Sequence, residues 1–407
     1  MEESSRFAVG IDIGTRNIHA VLGSVGRDGK ITAVGYAETP SAGMRRGTVV
    51  DMNAVASAVD ECLYEVEKMS GKQVEHGSVS INGTNIVSTK TDGMVTIMPN
   101  QSVDEDCINR LQDVAVAGKL PNNRQVLDLH PYEYIIDGQR GIRDPFEMSG
   151  SRIEIRANVV STIKPEYENL GKALNGKNAF DCASVVPSVI AAAEAVLSNQ
   201  QMENGIGVVD LGDSTTSVAI YDAGELQFVG VVPIGSNDIT KDLAMILKTV
   251  PEVAEEVKLR FASANFEKID KDFTIKRDRM EYTFNRMTVD EVVEARLEEI
   301  FDGVCSLLKK AGYAKRLPEG VMLTGGGANM RGIDAYARER VELAVRIGRP
   351  GMTLATEVKE ISKPEFATAI GLMMIDANAG QGDIRMSPVK KKKSGGGGLL
   401  KWLKMFK

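Results

Sequence analysis

Two short segments of this chain carry the same chemistry in the same order. Asp12-Ile13-Gly14-Thr15-Arg16-Asn17 and Asp210-Leu211-Gly212-Asp213-Ser214-Thr215-Thr216 each end an apolar run with an aspartate and a glycine, and the two aspartates stand 198 residues apart. A glycine just past a strand end lets backbone N–H groups approach phosphate oxygens closely. Thr15, Ser214, Thr215 and Thr216 add hydroxyl donors. Asp12 and Asp210 suit a hydrated Mg2+, which takes few protein ligands and several waters. A single turn of this kind is ordinary hairpin punctuation. Two of them, each in a strand-turn-strand setting, predict facing hairpins that clamp phosphates between two domains. A third segment, Leu323-Thr324-Gly325-Gly326-Gly327-Ala328-Asn329-Met330, offers a backbone on which a flat purine can lie. Glu255 and Lys258 share a helical face, and two readings stand for them: a solvated ion pair, or a grip on ribose and adenine from the other side.

The elements that must hold these residues follow from periodicity. Strands are expected at 7–11, 18–22 and 31–36, a helix at 52–69 and a strand at 79–81. The strand-turn-strand pattern returns at 206–209, 216–221 and 226–232, a long-period duplication of a domain. Between the copies, residues 85–160 read as an inserted α+β block, with two strand runs, a helix at 104–117 capped by Ser102, and two more strands. Helices are expected at 165–174, 187–197, 236–248, 251–263 and 288–311, from 333 onward, and at 367–375. A charged β-like stretch occupies 266–284. The fold class is α/β: an actin-like, duplicated two-domain fold (ribonuclease H-like) with an inserted small α+β subdomain and a C-terminal amphipathic helix.

Composition narrows the function classes. Four cysteines spaced 45, 75 and 123 residues apart and three scattered histidines exclude zinc knuckles and a His-based triad. The cysteines read as reduced, mostly buried thiols. No run approaches the ~18 apolar residues of a spanning helix, and Met1 to Arg6 is polar, so a cytoplasmic chain is expected. The net charge is −7, yet residues 390–407 hold seven lysines and no acid, leaving −14 on the rest. An acidic body is unsuited to nucleic acid, whereas a basic tail suits an anionic membrane lipid surface. On a helix, Lys401, Lys404 and Lys407 form one stripe, and Leu399, Leu400, Trp402, Leu403, Met405 and Phe406 fill the rest. Nine residues are too few for a stable free helix and fit an in-plane membrane anchor or a helix docked on a partner. Lys390 to Lys393 would add up to ~1 kcal/mol each near anionic lipid. The linker 380–398 would reach roughly 24 Å.

The three turns together resemble the actin and sugar-kinase superfamily. Residues 126–150 (VLDLHPYEYIIDGQRGIRDPFEMSG), 317–328 (LPEGVMLTGGGA) and 346–350 (RIGRP) closely resemble the FtsA family of bacterial cell-division proteins, and the likeness runs essentially from Phe7 to Lys407. It implies subdomain 1A at 1–84 with 161–203 and 364–379, 1C (SHS2-like) at 85–160, 2A at 204–231 with 301–363, and 2B at 232–300. It also implies ATP with Mg2+, self-association into filaments, and tethering of FtsZ to the cytoplasmic face of the inner membrane at the division site. The FtsZ C-terminal tail is expected on 2B, where Arg286 and Arg296 match basic positions; an arginine fork pairs carboxylates bidentately. Their alternative is a solvated basic face. Later division proteins would dock on 1C.

Two departures from the family stand out. Arg16-Asn17 replaces a Thr-Lys pair in the first turn, so Arg16 is expected to supply the charge. Asp213 replaces a glycine in the second, and a carboxylate there repels phosphate unless a cation or water intervenes. No residue is marked as a general base, so slow hydrolysis at most is expected. The competing readings are a sugar-kinase-like phosphotransferase, which needs an acceptor pocket with a catalytic carboxylate, and a PilM-like pilus-assembly adaptor, which would ignore an FtsZ tail.

Overall fold

The computed structural model describes residues 6–98, 101–174, 180–350 and 358–379. The linker 380–398, the tail 399–407 and Lys390–Lys393 lie outside the described residues.

Two five-stranded sheets are built on one plan. In the first, Arg6–Ile13, Asn17–Val25 and Ile31–Pro40 form an antiparallel meander; Arg6–Ile13 also pairs in parallel with His76–Ile81, which pairs with Asp181–Pro187. In the second, Ile206–Leu211, Thr216–Asp222 and Glu225–Val232 form the meander, followed outward from Ile206–Leu211 by Val321–Thr324 and Val345–Ile347. The duplication extends to register: Asp12 lies opposite His19 and Asp210 opposite Ser217, each pair offset by the same 198 residues. Ile206–Leu211 is buried at every position, as expected of a strand covered on both faces. Asp181–Pro187 is a strand that periodicity did not reveal; its side chains are mostly half-buried, so it lacks a clean alternation.

Two helices cross between the sheets. Ser188–Val196 and Ala367–Ala379 meet where Gly371 faces Ala191, so closely that a Cβ on Gly371 would lie 1.7 Å from the Ala191 carbonyl oxygen. Ala367–Ala379 also lies on the first sheet, with Gly10 against its Ala369 carbonyl and Asp376 Oδ2 accepting the Val9 N–H at 3.0 Å. Its residues Ala367 to Met373 are all buried, which explains a helix apolar all round rather than striped. Helix Met52–Ser70 covers the other face with Val55, Val59, Leu63 and Val66. It starts at Asp51, whose carboxylate accepts the Asn53 and Ala54 N–H groups, and ends at Gly71 with φ +66.

The inserted block is a four-stranded sheet in the order Val87–Thr96, Arg152–Ile163, Arg124–Ile136, Gln139–Ile142, with helix Glu105–Val116 against it. Two expectations are corrected. Among the described residues a single strand, Val87–Thr96, not two, precedes the helix; Gly93 continues it and lets the helix backbone approach, a Cβ there lying 2.8 Å from Ala115 N. The helix cap is Asp104, whose Oδ1 accepts the Cys107 N–H at 2.7 Å, not Ser102, which forms a bridge to Ser149. The block leans on the second sheet: Ser88 Oγ donates to the Val229 carbonyl at 3.1 Å and accepts its N–H at 2.8 Å.

Residues 236–311 extend the second domain with helices Ser236–Ile246 and Pro251–Phe261, the hairpin Asp272–Arg277/Met280–Asn285, and the long helix Arg286–Ala311. Their core joins Leu243, Val253, Val257, Val293 and Leu297 to Val209 and Leu211 of the second sheet. The packing therefore continues to the base of the second aspartate turn. Of the four cysteines, none in a disulfide, Cys62 and Cys107 are buried and the other two half-buried.

Candidate functional site

Both aspartate turns close identically. Gly14 N–H donates to Asn17 O at 3.1 Å, and Gly212 N–H to Thr215 O at 3.0 Å. Each loop lies at the mouth of its meander, and the charge of Asp12 is felt at Asp210. Asp210 is 8% exposed. Burial, reinforced by the charge of Asp12 and opposed by a hydrogen bond from Ser188, pushes its carboxyl up to about 7. Burial likewise raises Asp12, against the opposing pull of His19 and a hydrogen bond from Ser80. A buried carboxylate whose proton affinity is raised further by a neighbouring carboxylate is a donor set that a divalent cation relieves. Among the described residues no cluster of three or more His, Cys, Asp or Glu could hold a metal directly. The pair therefore fits a cation that keeps most of its waters.

The glycine triplet divides its labour. Gly325, at φ +82, sits under the second turn, where a Cβ would lie 2.3 Å from Asp210 Oδ1; Gly327 lies against Leu211. Gly326 is exposed with nothing near its Cβ position, so it alone offers open backbone. Ala328 is buried and donates its N–H to the Gly325 carbonyl, closing the short 3-10 turn Gly326–Asn329, and Met330 is half-buried at its end. Arg331 binds the chain leaving helix Pro251–Phe261, its carbonyl accepting the Ala264 N–H at 2.8 Å. The glycine loop and the Glu255 helix are thereby joined.

Glu255 is the meeting point of the two domains. Its Oε1 pairs with Arg16 Nη1 at 2.9 Å and its Oε2 with Lys258 Nζ at 2.8 Å, while Thr240 donates its hydroxyl to Oε2. Burial works against the Glu255 charge, yet Lys258, Thr240 and Arg16 hold its carboxyl below the ordinary range. Lys258, nearly buried, also donates to Ser236 O at 3.2 Å. Burial lowers its pKa despite Glu255, and the charge of Asp213 favours its ammonium form. Asp213 therefore has a cation nearby, which answers the repulsion expected of a carboxylate in a phosphate turn.

Not every expected donor is free. Thr216 gives its hydroxyl proton to Ile234 O at 2.8 Å, and Ser214 gives its own to Asp213 at 2.8 Å. Thr15 Oγ1 accepts the Gly47 N–H at 3.0 Å and keeps its proton. Asn17 turns away from the loop to Glu38. Arg286 and Arg296 stand on the long helix with partners of their own: Arg286 with Asp290 at 3.1 Å and the Phe261 carbonyl, Arg296 with Asp242 and Glu299 at 2.6 Å each. The membrane residues Leu399 to Lys407 lie outside the described residues.

Sequence reasoning passed over His19. Register carries it between Asp12 and Glu38 on one face of the meander. Its buried ring lies 4.0 Å from Asp12 Oδ2, 3.8 Å from Glu38 Oε1 and edge-on to Phe366. The signal was the cross-strand spacing: Asp12 and His19 are symmetric about the Gly14–Asn17 turn.

Duplicated sheets, two crossing helices and a cleft closed by matched turns define an actin-like α/β protein with a small α+β subdomain inserted in its first domain. Solved structures share this fold. A PilM-PilN type IV pilus biogenesis complex superposes with a TM-score of 0.66 at 17% identity, covering 91% of this chain and 98% of the other. MreB5 of Spiroplasma citri bound to AMPPNP superposes at 0.56 and 15% identity, covering 93% and 98%. The sequence narrows this further. The model of cell division protein FtsA matches residues 207–371, and that of the SHS2 domain inserted in FtsA matches 83–161. Cell division protein FtsA of Pseudomonas aeruginosa is 33% identical over 377 residues, covering 91% of this chain and 89% of the relative. That of Neisseria meningitidis is 32% identical over 415 residues, covering 100% and 99%. The chain belongs to the FtsA family of cell-division proteins.

Proposed function

We propose that this chain binds ATP with Mg2+ in the cleft between its two sheets and tethers FtsZ filaments to the cytoplasmic face of the inner membrane. The observation that carries the nucleotide part is the pair of identically closed turns, with Asp12 and Asp210 coupled by charge and Gly325 packed beneath. Backbone N–H groups of the two loops and the hydroxyl of Thr15 hold phosphates, Gly326 faces the base, and Glu255 and Lys258 hold the ribose side. Asp12 and Asp210 would hold the cation through water, and the cation would neutralise phosphate charge. Residues 1–84, 161–203 and 364–379 act as subdomain 1A, 204–231 and 301–363 as 2A, 85–160 as the docking subdomain for later division proteins, and 232–300 as 2B.

An acidic FtsZ tail on 2B would have to take Arg296 from Asp242 and Glu299, or Arg286 from Asp290. Partner exchange of this kind keeps the interaction weak and reversible, as a dynamic ring requires. Among the described residues no helix is long and apolar enough to cross a membrane, and attachment is assigned to the basic, aromatic tail 399–407 after its linker.

Liposome co-sedimentation with ATP and purified FtsZ tests the reading. The full chain should pellet and bring FtsZ down, and a chain ending at Ser394 should leave both in solution. Lipid binding without FtsZ would remove the partner assignment. Pelleting by neither form would remove the anchor.

A further inference from the structure

The contact between Arg16 and Glu255 is built from the wrong side of the cleft for a simple phosphate ligand. Arg16 leaves the first-domain turn that would cradle phosphates, yet its guanidinium lies on Glu255 of the second domain, 2.9 Å from Oε1. Glu255 has two separate claims on it. Oε2 is satisfied within the second domain by Lys258 and Thr240, whereas Oε1 pairs with Arg16. Removing Arg16 therefore frees one lone-pair face of the carboxylate without dismantling the rest. Arg16 and Lys258 are two cations on one carboxylate, and the charge of Arg16 works against that of Lys258. The Arg16 side chain is 47% exposed and that of Glu255 14%, so the pair is a modest one that a better anion can outcompete.

We propose that Arg16 is a two-position residue that reads the phosphate chain: on Glu255, holding the two domains together, when the phosphate turns are empty, and on a phosphate oxygen when they are filled, which releases Glu255 Oε1 to the ribose hydroxyls. This rests on the nucleotide reading of the cleft. One side chain then serves two steps. Phosphate draws it off the carboxylate, and the vacated carboxylate accepts the sugar. A lysine, as in the related turns, carries its charge on one compact ammonium, whereas the longer Arg16 guanidinium places Nη1 on Glu255 Oε1. The consequence is a discrimination between ligands. A nucleoside without phosphate must displace Arg16 from Glu255 and gives the guanidinium no new anion. A nucleoside di- or triphosphate supplies one.

The test is equilibrium binding of adenosine, ADP and ATP, with Mg2+, to the full chain and to Arg16→Ala, by calorimetry, after thermal melts establish that both are folded. Loss of Arg16 should tighten adenosine roughly two- to fivefold, the range of a partly exposed ion pair. It should weaken ADP and ATP about tenfold or more, the range of a lost charge-assisted bond to phosphate. Arg16→Lys should retain most of the phosphate effect and, like alanine, tighten adenosine. Equal weakening of all three ligands by Arg16→Ala would make Arg16 an ordinary binding residue and overturn the proposal, as would no change in any of them. If the wild-type chain binds no adenine ligand at all, it is the nucleotide reading of the cleft that fails, and the proposal falls with it.

Discussion

Asp210 should be more useful to ligand binding than to the empty protein, and replacing it with asparagine separates the two. Its carboxyl is raised from 3.8 to about 7 by burial first and by Asp12 second. That gap corresponds to about 4 kcal/mol favouring the protonated form in the folded state. The sign follows from linkage. Between pH 4 and 7 the folded state binds more protons at this site than the unfolded state. The contribution to stability is present below about pH 4 and is lost as pH rises through 7. Asp210→Asn keeps the shape and removes the charge. Part of the gain is returned because an amide oxygen accepts from Ser188 more weakly than a carboxylate does. The ligand-free variant should therefore be more stable than wild type at pH 8 by roughly 2–4 kcal/mol, or roughly 2–5 °C in melting temperature for a chain of this length, and the difference should shrink to roughly 0–1.5 kcal/mol at pH 5. Melts at both pH values, with and without Mg2+ and ATP, measure this. Mg2+ with ATP should raise the wild-type transition at pH 8 and leave that of Asp210→Asn in place. A variant less stable than wild type at pH 8, or a difference that does not shrink on acidification, would refute the account of Asp210 as a buried charge awaiting a cation.

Three further outcomes are expected. Gly371→Ala places a Cβ 1.7 Å from the Ala191 carbonyl and forces the two crossing helices apart, so urea denaturation should register a loss of about 3 kcal/mol. Asp104→Ala removes the side-chain cap of helix Glu105–Val116 and should cost about 1 kcal/mol by the same measurement. Asp104→Asn should restore most of it. Gly325→Ala sets a side chain on a residue at φ +82 and against Asp210; calorimetry should find ATP binding lost, and urea denaturation a cost of at least 1 kcal/mol for the left-handed backbone.

The sequence alone determined the duplication and the chemistry of its turns. Asp12-Ile13-Gly14 and Asp210-Leu211-Gly212 carry their function in residue type and local spacing, and both meanders follow from apolar runs broken at a glycine. Such features are local: a strand end, a tight turn and a buried run are settled within about ten residues. The long helix expected at 288–311, the apolar helix expected at 367–375 and the inserted block, apart from its first strands and helix cap, were legible for the same reason, while the strand Asp181–Pro187, half-buried and without alternation, was not. Tertiary structure decided which side chains are free to act. Thr216 reads as a phosphate donor until its hydroxyl is found on Ile234 O, and Arg286 and Arg296 read as open cations until Asp290, Asp242 and Glu299 are seen beside them. The reach of Arg16 to Glu255 joins residues 239 positions apart. Pairings at that separation depend on how two domains close on each other, and no local pattern encodes the distance between them.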